Sequence, residues 1–233
     1  LTDYVNPMLG TATLWDSIDL GFKPTKRTWG AEVFPGSSLP NAMVQVSPVT
    51  KFHSGAGYQY EDSVIYGFTH TNKGHWNLCH IPLLPVTGTP RPGDYCSPFS
   101  HERESAAPGY YQVFLDRYGV DAQLSSTLRC AFHKYTYPAG AAASLLADLQ
   151  RSNEHVRAWD IRKEGDNVFA GWQQTGEKMY FYAVANRPVT GIEPVVEGDR
   201  EVRIVRFGEG DGALELRIGF SFVSEKNARE NLE

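Results

Sequence analysis

The chain has few cysteines and no even set of them. Cys79, Cys96 and Cys130 are the three present in 233 residues, too few for a disulfide framework. Small buried thiols are the expectation, with a single Cys79–Cys96 bridge as the alternative. His75, Cys79 and His80 look like zinc ligands, but no second Cys/His pair with ligand spacing follows, so no structural zinc is expected. No apolar run approaches the ~20 residues of a membrane span. Positive charge is not in excess: 22 Lys and Arg face 27 Asp and Glu, for a net charge of −5. The electrostatic footprint of a nucleic-acid binder is therefore missing. No Gly-x-Ser-x-Gly elbow anchors serine-hydrolase chemistry. The Gly-Glu-Gly-Asp-Gly run at 208–212 lacks the Lys-Ser/Thr of a phosphate loop and is expected to be a hairpin turn. There is no internal repeat, no low-complexity run and no signal peptide; the chain opens on LTDYVNPMLGT, as a mature or trimmed chain would.

What is present is a large apolar and aromatic share, 41% hydrophobic and 12% aromatic residues. That suits sheets and sugar-binding surfaces. Residues 1–62 are punctuated by Gly and Pro, with one short strand at 43–46. From Tyr110 onward the texture changes to short runs separated by turns. Strands are predicted at 110–115, 120–124, 127–137, 144–149, 155–162, 168–174, 179–186, 201–207 and 214–223. Regular short strands with turn signals predict a mainly β fold, an antiparallel two-sheet β-sandwich with a turn-rich N-terminal segment. Only the tail reads as helix. Ser224 suits the N-cap and Glu225 the positive end, with Ala228 and Leu232 on one side. No Gly, Pro or basic last turn ends that helix, so the chain is expected to be a piece of something longer.

Two loops carry the chemistry. Residues 67–88, GFTHTNKGHWNLCHIPLLPVTG, crowd three His, a Trp and two Asn between glycines. Residues 97–115, SPFSHERESAAPGYYQVFL, hold His101, Glu102, Arg103 and Glu104 beside a Tyr pair. Glycosidases need two carboxyl groups at a defined separation, which makes Glu102 and Glu104 candidates. Turn capping, or pairing with Arg103 or Arg129, is the expected role. His70, His75, His80 and His101 fall close in sequence and point to a polar pocket. Trp76 follows Gly74-His75, where backbone freedom lets a ring be presented to a ligand. Sugars lay C–H faces on such rings and place hydroxyls on Asn, His and Glu. Trp76, His75, Asn77, His101 and Gly74 are thus the predicted substrate-binding residues; core packing is the competing role for Trp76.

These residues carry a resemblance. NPMLGT at 6–11, PGSSLPNAMVQVSP at 35–48, GYQYEDSVIYGFTHT at 57–71, SPFSHERESAAPGYYQVFL, LSSTLRCAFHKYTYP at 124–138 and FSFVSEKNARENLE at 220–233 together resemble the N-terminal domain of family-92 glycoside hydrolases. These are calcium-dependent, exo-acting, inverting α-mannosidases common in gut bacteria. The departure is NKGHWNLCHIPLLP, where the family has a Leu-Ser-Gly-type loop, so linkage preference stays open. The resemblance implies a sandwich at 1–223 and, at 224–233, the start of a linker helix to an (α/α)6 catalytic domain. In the family that barrel holds the acid, the base and most calcium ligands, so no catalytic or metal-binding residue is expected in this chain. The sandwich adds sugar contacts, among them a Trp that matches Trp76. A periplasmic or secreted location, and α-mannoside glycans as partners, are implied with it. A stand-alone carbohydrate-binding module and a purely structural buttress are the alternatives.

Overall fold

The computed structural model describes residues 2–13, 21, 32–72, 78–210 and 212–233. In chain order the strands begin with β1 (Ser37–Ser38), β2 (Gln45–Val49), β3 (Val64–Ile65), β4 (Gly67–Thr69), β5 (Leu83–Val86), β6 (Ser97–Pro98), β7 (Glu104–Ala107) and β8 (Tyr110–Leu115). They continue with β9 (Val120–Ser126), β10 (Cys130–Thr136), β11 (Ser144–Ala147), β12 (Ala158–Lys163), β13 (Val168–Gln174), β14 (Lys178–Ala185), β15 (Val189–Glu197), β16 (Arg200–Phe207) and β17 (Leu214–Ser221). One helix, α1 (Glu225–Leu232), follows.

The strands form two large antiparallel sheets. One runs β1-β2-β4-β5-β11-β16-β15 and the other β12-β13-β14-β17-β10-β9-β8-β7, while β3 and β6 pair separately. Alternation sets the faces. In β14 every second residue from Met179 to Ala185 is buried, and in β8 Tyr111, Val113 and Leu115 are. In β10 the inward set is Ala131, His133 and Tyr135. The core between the sheets joins Val46, Phe68, Leu84 and Ile204 to Tyr111, Phe169, Phe181 and Ile218. Each fully buried side chain of this size is worth about 1.5–3 kcal/mol. Phe169 packs edge-on against Phe181 and Phe207, each at 6.3 Å.

The Gly-rich run at 208–212 is not the predicted hairpin turn. It leaves β16 in one sheet and enters β17 in the other, so it crosses between layers. No disulfide joins Cys79, Cys96 and Cys130, and of the three only Cys79 is buried. Helix α1 is capped by the Ser224 hydroxyl, which accepts from the Asn227 amide at 3.1 Å. It lies on β17 and β14. A Cβ at Gly219 would sit 2.1 Å from the Ala228 carbonyl oxygen, so only glycine lets the helix approach this closely.

Candidate functional site

Three connecting segments meet at one end of the sandwich. The first follows β2. Its Phe52 packs with Val49 and Cys79 in a small apolar cluster of its own. The second follows β11, where the Arg151 guanidinium lies 4.2 Å from the Phe52 ring centre and 4.6 Å from that of Tyr66. Burying its stem this way leaves the charge stacked on aromatic faces rather than in water. The third lies between β4 and β5. Backbone bonds tie the three together. The His53 amide donates to Asn153 Oδ1 at 2.7 Å. The Leu78 carbonyl accepts from the Asn153 amide at 3.1 Å and the Ser152 hydroxyl at 2.5 Å.

The first two segments, with the start of β12, line an open cleft of about 780 Å³, walled by His53, Arg151, Glu154, His155, Arg157 and Trp159 among others. That volume is in the ~300–1,000 Å³ range of small-molecule sites. Its lining mixes polar side chains with Val156, Ala158 and the aromatic Trp159.

In the third segment Thr71 and Cys79 form a neck, where the Cys79 amide donates to the Thr71 carbonyl at 3.0 Å. Cys79 and Ile81 both have left-handed backbones, with φ of 51° and 54°. Such a conformation is uncommon outside glycine and a true outlier for β-branched isoleucine. Side chains hold it. The Ile81 amide donates to Gln173 Oε1 at 2.8 Å, and the Ile81 carbonyl accepts from His70 Nδ1 at 2.9 Å. Between the strained residues, His80 Nδ1 lies 3.0 Å from the Thr71 hydroxyl and Nε2 2.9 Å from the Thr175 hydroxyl. Burial pushes the His80 imidazole down to about 4 and that of His70 to about 3, so both are neutral near pH 7.

The sequence therefore misplaced two of its four histidines. His70 and His80 belong to the interior, His70 fully buried and His80 nearly so; they lock a turn and do not line a pocket. His101 is described and lies elsewhere. Its ring stacks on Tyr60 at 4.0 Å between centres. Nδ1 faces the Glu104 carboxylate at 2.5 Å and Nε2 the Tyr60 carbonyl at 2.7 Å. Both ring nitrogens therefore have partners. Glu104 is 1% exposed and also accepts from the hydroxyls of Tyr58 at 2.9 Å and Tyr111 at 2.5 Å. Glu102 stays on the surface in a short 3-10 turn. Arg103 pairs with Asp116 instead of either glutamate, and Arg129 bonds Asn231. Gly74, His75, Trp76 and Asn77 lie outside the described residues. The groups the sequence reading missed are His53 and the Glu154–Trp159 stretch. SNEHVRAW at 152–159 is polar and aromatic-bearing, but its second half was read as strand from 155, whereas β12 begins at Ala158.

Residues 4–227 match the model of the glycosyl hydrolase family 92 N-terminal domain. The chain belongs to this family. The family GH92 alpha-mannosidase BT3965 from Bacteroides thetaiotaomicron, solved alone and in complex with mannoimidazole, superposes with a TM-score of 0.84 at 25% identity, over 99% of this chain and 34% of that one. The family GH92 inverting mannosidase BT2199 from the same organism gives 0.81 at 23% identity, over 99% and 33%, a likeness of fold. The chain thus spans about a third of the length of these solved relatives. No curated protein matches it. Among the described residues of this GH92 domain, no group of three or more His, Cys, Asp or Glu converges as a metal site.

Proposed function

We propose that this GH92 domain is the non-catalytic sandwich wall of an exo-acting, inverting α-mannosidase. In this reading residues 1–223 form the wall and 224–233 start a linker helix. A following (α/α)6 domain supplies the general acid, the general base and most calcium ligands. Inversion needs an acid that protonates the leaving oxygen and a base that activates water on the opposite face of the sugar. The observation that carries the reading is the family match from residue 4 to 227 in a chain about a third as long as the solved mannosidases it superposes on.

Leu78, the first described residue after 73–77, is bonded to Ser152 and Asn153 on the cleft wall, which supports reading the preceding positions as part of the same pocket. Trp76, His75, Asn77 and Gly74 are the proposed sugar contacts there. His101 was grouped with them, but its nitrogens are taken by Glu104 and Tyr60, which leaves it only a ring edge to offer. The source would be a bacterium acting on α-mannoside glycans from the periplasm or outside the cell. No helix among the described residues is long and apolar enough to cross a membrane.

The test is expression with and without the following domain. Only the longer protein should release mannose from an aryl α-mannoside, in a calcium-dependent way, with β-mannose as the first product by proton NMR. Mannose release by the 233-residue chain alone, lost on Glu104→Gln or Glu102→Gln, would overturn the reading. Tight binding of α-mannobiose by the short chain alone would favour a stand-alone carbohydrate-binding module.

A further inference from the structure

We propose that the Glu154 carboxylate is the acceptor in the cleft for a vicinal pair of sugar hydroxyls, with Thr175 and His80 as the residues that position it. This rests on the reading of the cleft as part of a glycan pocket.

Glu154 is exposed on the cleft wall, yet it is not a free-swinging surface acid. Its Oε2 accepts from the Gly176 amide at 3.3 Å. The Thr175 hydroxyl, and after it this amide, hold the carboxyl below the ordinary carboxylate range. Behind it runs a buried chain of hydroxyl and imidazole groups. The Thr71 hydroxyl accepts from the His80 amide at 3.0 Å and lies 3.0 Å from His80 Nδ1, and we assign its proton to that nitrogen. His80 is neutral and then carries its proton on Nε2, which donates to Thr175 at 2.9 Å. The Thr175 proton is left for Glu154. Thr175 and His80 are 0% and 1% exposed, and left-handed Cys79 and Ile81 flank the imidazole. Strain of this kind gathers at sites where geometry matters. The chain thus holds the Glu154 carboxylate at the cleft from the protein side.

An ionised carboxylate only accepts, with about four lone-pair positions. Two are directed at Thr175 and Gly176, and the others face the cleft. Their complement is two O–H donors on adjacent carbons. Trp159 on the same wall supplies an apolar surface for the C–H side of such a ring.

The experiment uses the full-length enzyme and compares Glu154→Gln, Thr175→Val and Thr175→Ser. Glu154→Gln should raise KM for α-mannobiose about tenfold, the loss of one charge-assisted hydrogen bond, with an unchanged melting temperature. Thr175→Val should raise KM in the same direction, and Thr175→Ser should restore it. An unchanged KM in Glu154→Gln overturns the proposal, as does a Thr175→Val variant that loses only thermal stability. If the enzyme cleaves no mannoside, the mannosidase reading fails by itself. Titration of wild type and Glu154→Gln with a panel of monosaccharides then decides the present inference. Diol-dependent binding lost in the variant supports it, and no binding of any sugar overturns it.

Discussion

The imidazole rings of His70 and His133 stack 5.1 Å apart in the sealed core, joined by an Nε2–Nε2 hydrogen bond of 3.1 Å. Only one of those nitrogens can carry the proton. The Ile81 carbonyl accepts from His70 Nδ1, so His133 Nε2 is the donor, and His133 Nδ1 accepts from the Tyr135 hydroxyl at 2.5 Å. A second proton on His70 would set two N–H groups against each other, and one on His133 would displace the Tyr135 hydroxyl proton from Nδ1.

This arrangement predicts acid sensitivity. Burial holds His70 at about 3, His80 at about 4 and His133 well below the usual value. All three are neutral in the fold but take up protons near pH 6.5 once unfolded. The stability they permit is therefore complete above that pH and lost as pH falls toward 4. Three uncompensated protons weaken the fold by roughly 4 kcal/mol per pH unit, or about 5 kcal/mol between pH 6.5 and 5. Asp148, raised by burial, pulls the other way. Urea midpoints at pH 7.5 and 5 check this, and equal midpoints would refute it.

Glu104 should prove structural. Glu104→Ala strands the Tyr58 and Tyr111 hydroxyls and the His101 ring, and should cost about 3–5 kcal/mol of stability. Folded Glu104→Gln in the full-length enzyme should keep its kcat. A wild-type melt combined with a thousandfold loss of kcat would instead make Glu104 a reacting group.

Trp76→Ala separates ligand from core. As a sugar contact it should lower kcat/KM for a disaccharide by ~1–3 kcal/mol of transition-state binding and leave the melting temperature nearly unchanged. A packing tryptophan would instead cost ~3–5 kcal/mol of stability. Melts and kinetics on one variant decide between them.

Gly219→Ala should lift α1 from its sheet, since the new Cβ meets the Ala228 carbonyl at 2.1 Å. The expected cost is about 1–3 kcal/mol, read as faster amide exchange confined to residues 225–232. Uniform protection across that helix would show that the backbone absorbs the methyl without loss.

The alternating strands were legible in the sequence. The runs 110–115 and 168–174 match β8 and β13 end to end, because one face is wet and the other dry. Strands β4 and β5 are buried on both faces, so GFT and LLPV carry no alternation to read. β15 was missed for the opposite reason. It is a mostly exposed edge strand interrupted by Gly191 and Pro194, residues that otherwise signal loops. The strand predicted at 43–46 forms later, at Gln45–Val49. At the site, closeness in sequence misled: His70 and His80 are near Trp76 along the chain, but their neighbours turn them inward. Glu154 carries no motif. Only the fold brings it to Thr175 and Gly176.

The bond from Cys79 to Thr71 has an evolutionary consequence. Because Thr71 and Cys79 are bonded to each other and the residues after Cys79 are held from below by Gln173, His70 and Thr175, the scaffold fixes these two positions independently of the sequence that joins them. Insertions and substitutions between the two leave the strand register beneath them untouched. Under the proposed reading, selection can therefore act on the intervening positions without renegotiating the sandwich, and a library randomised there should yield variants that differ in sugar specificity more than in expression.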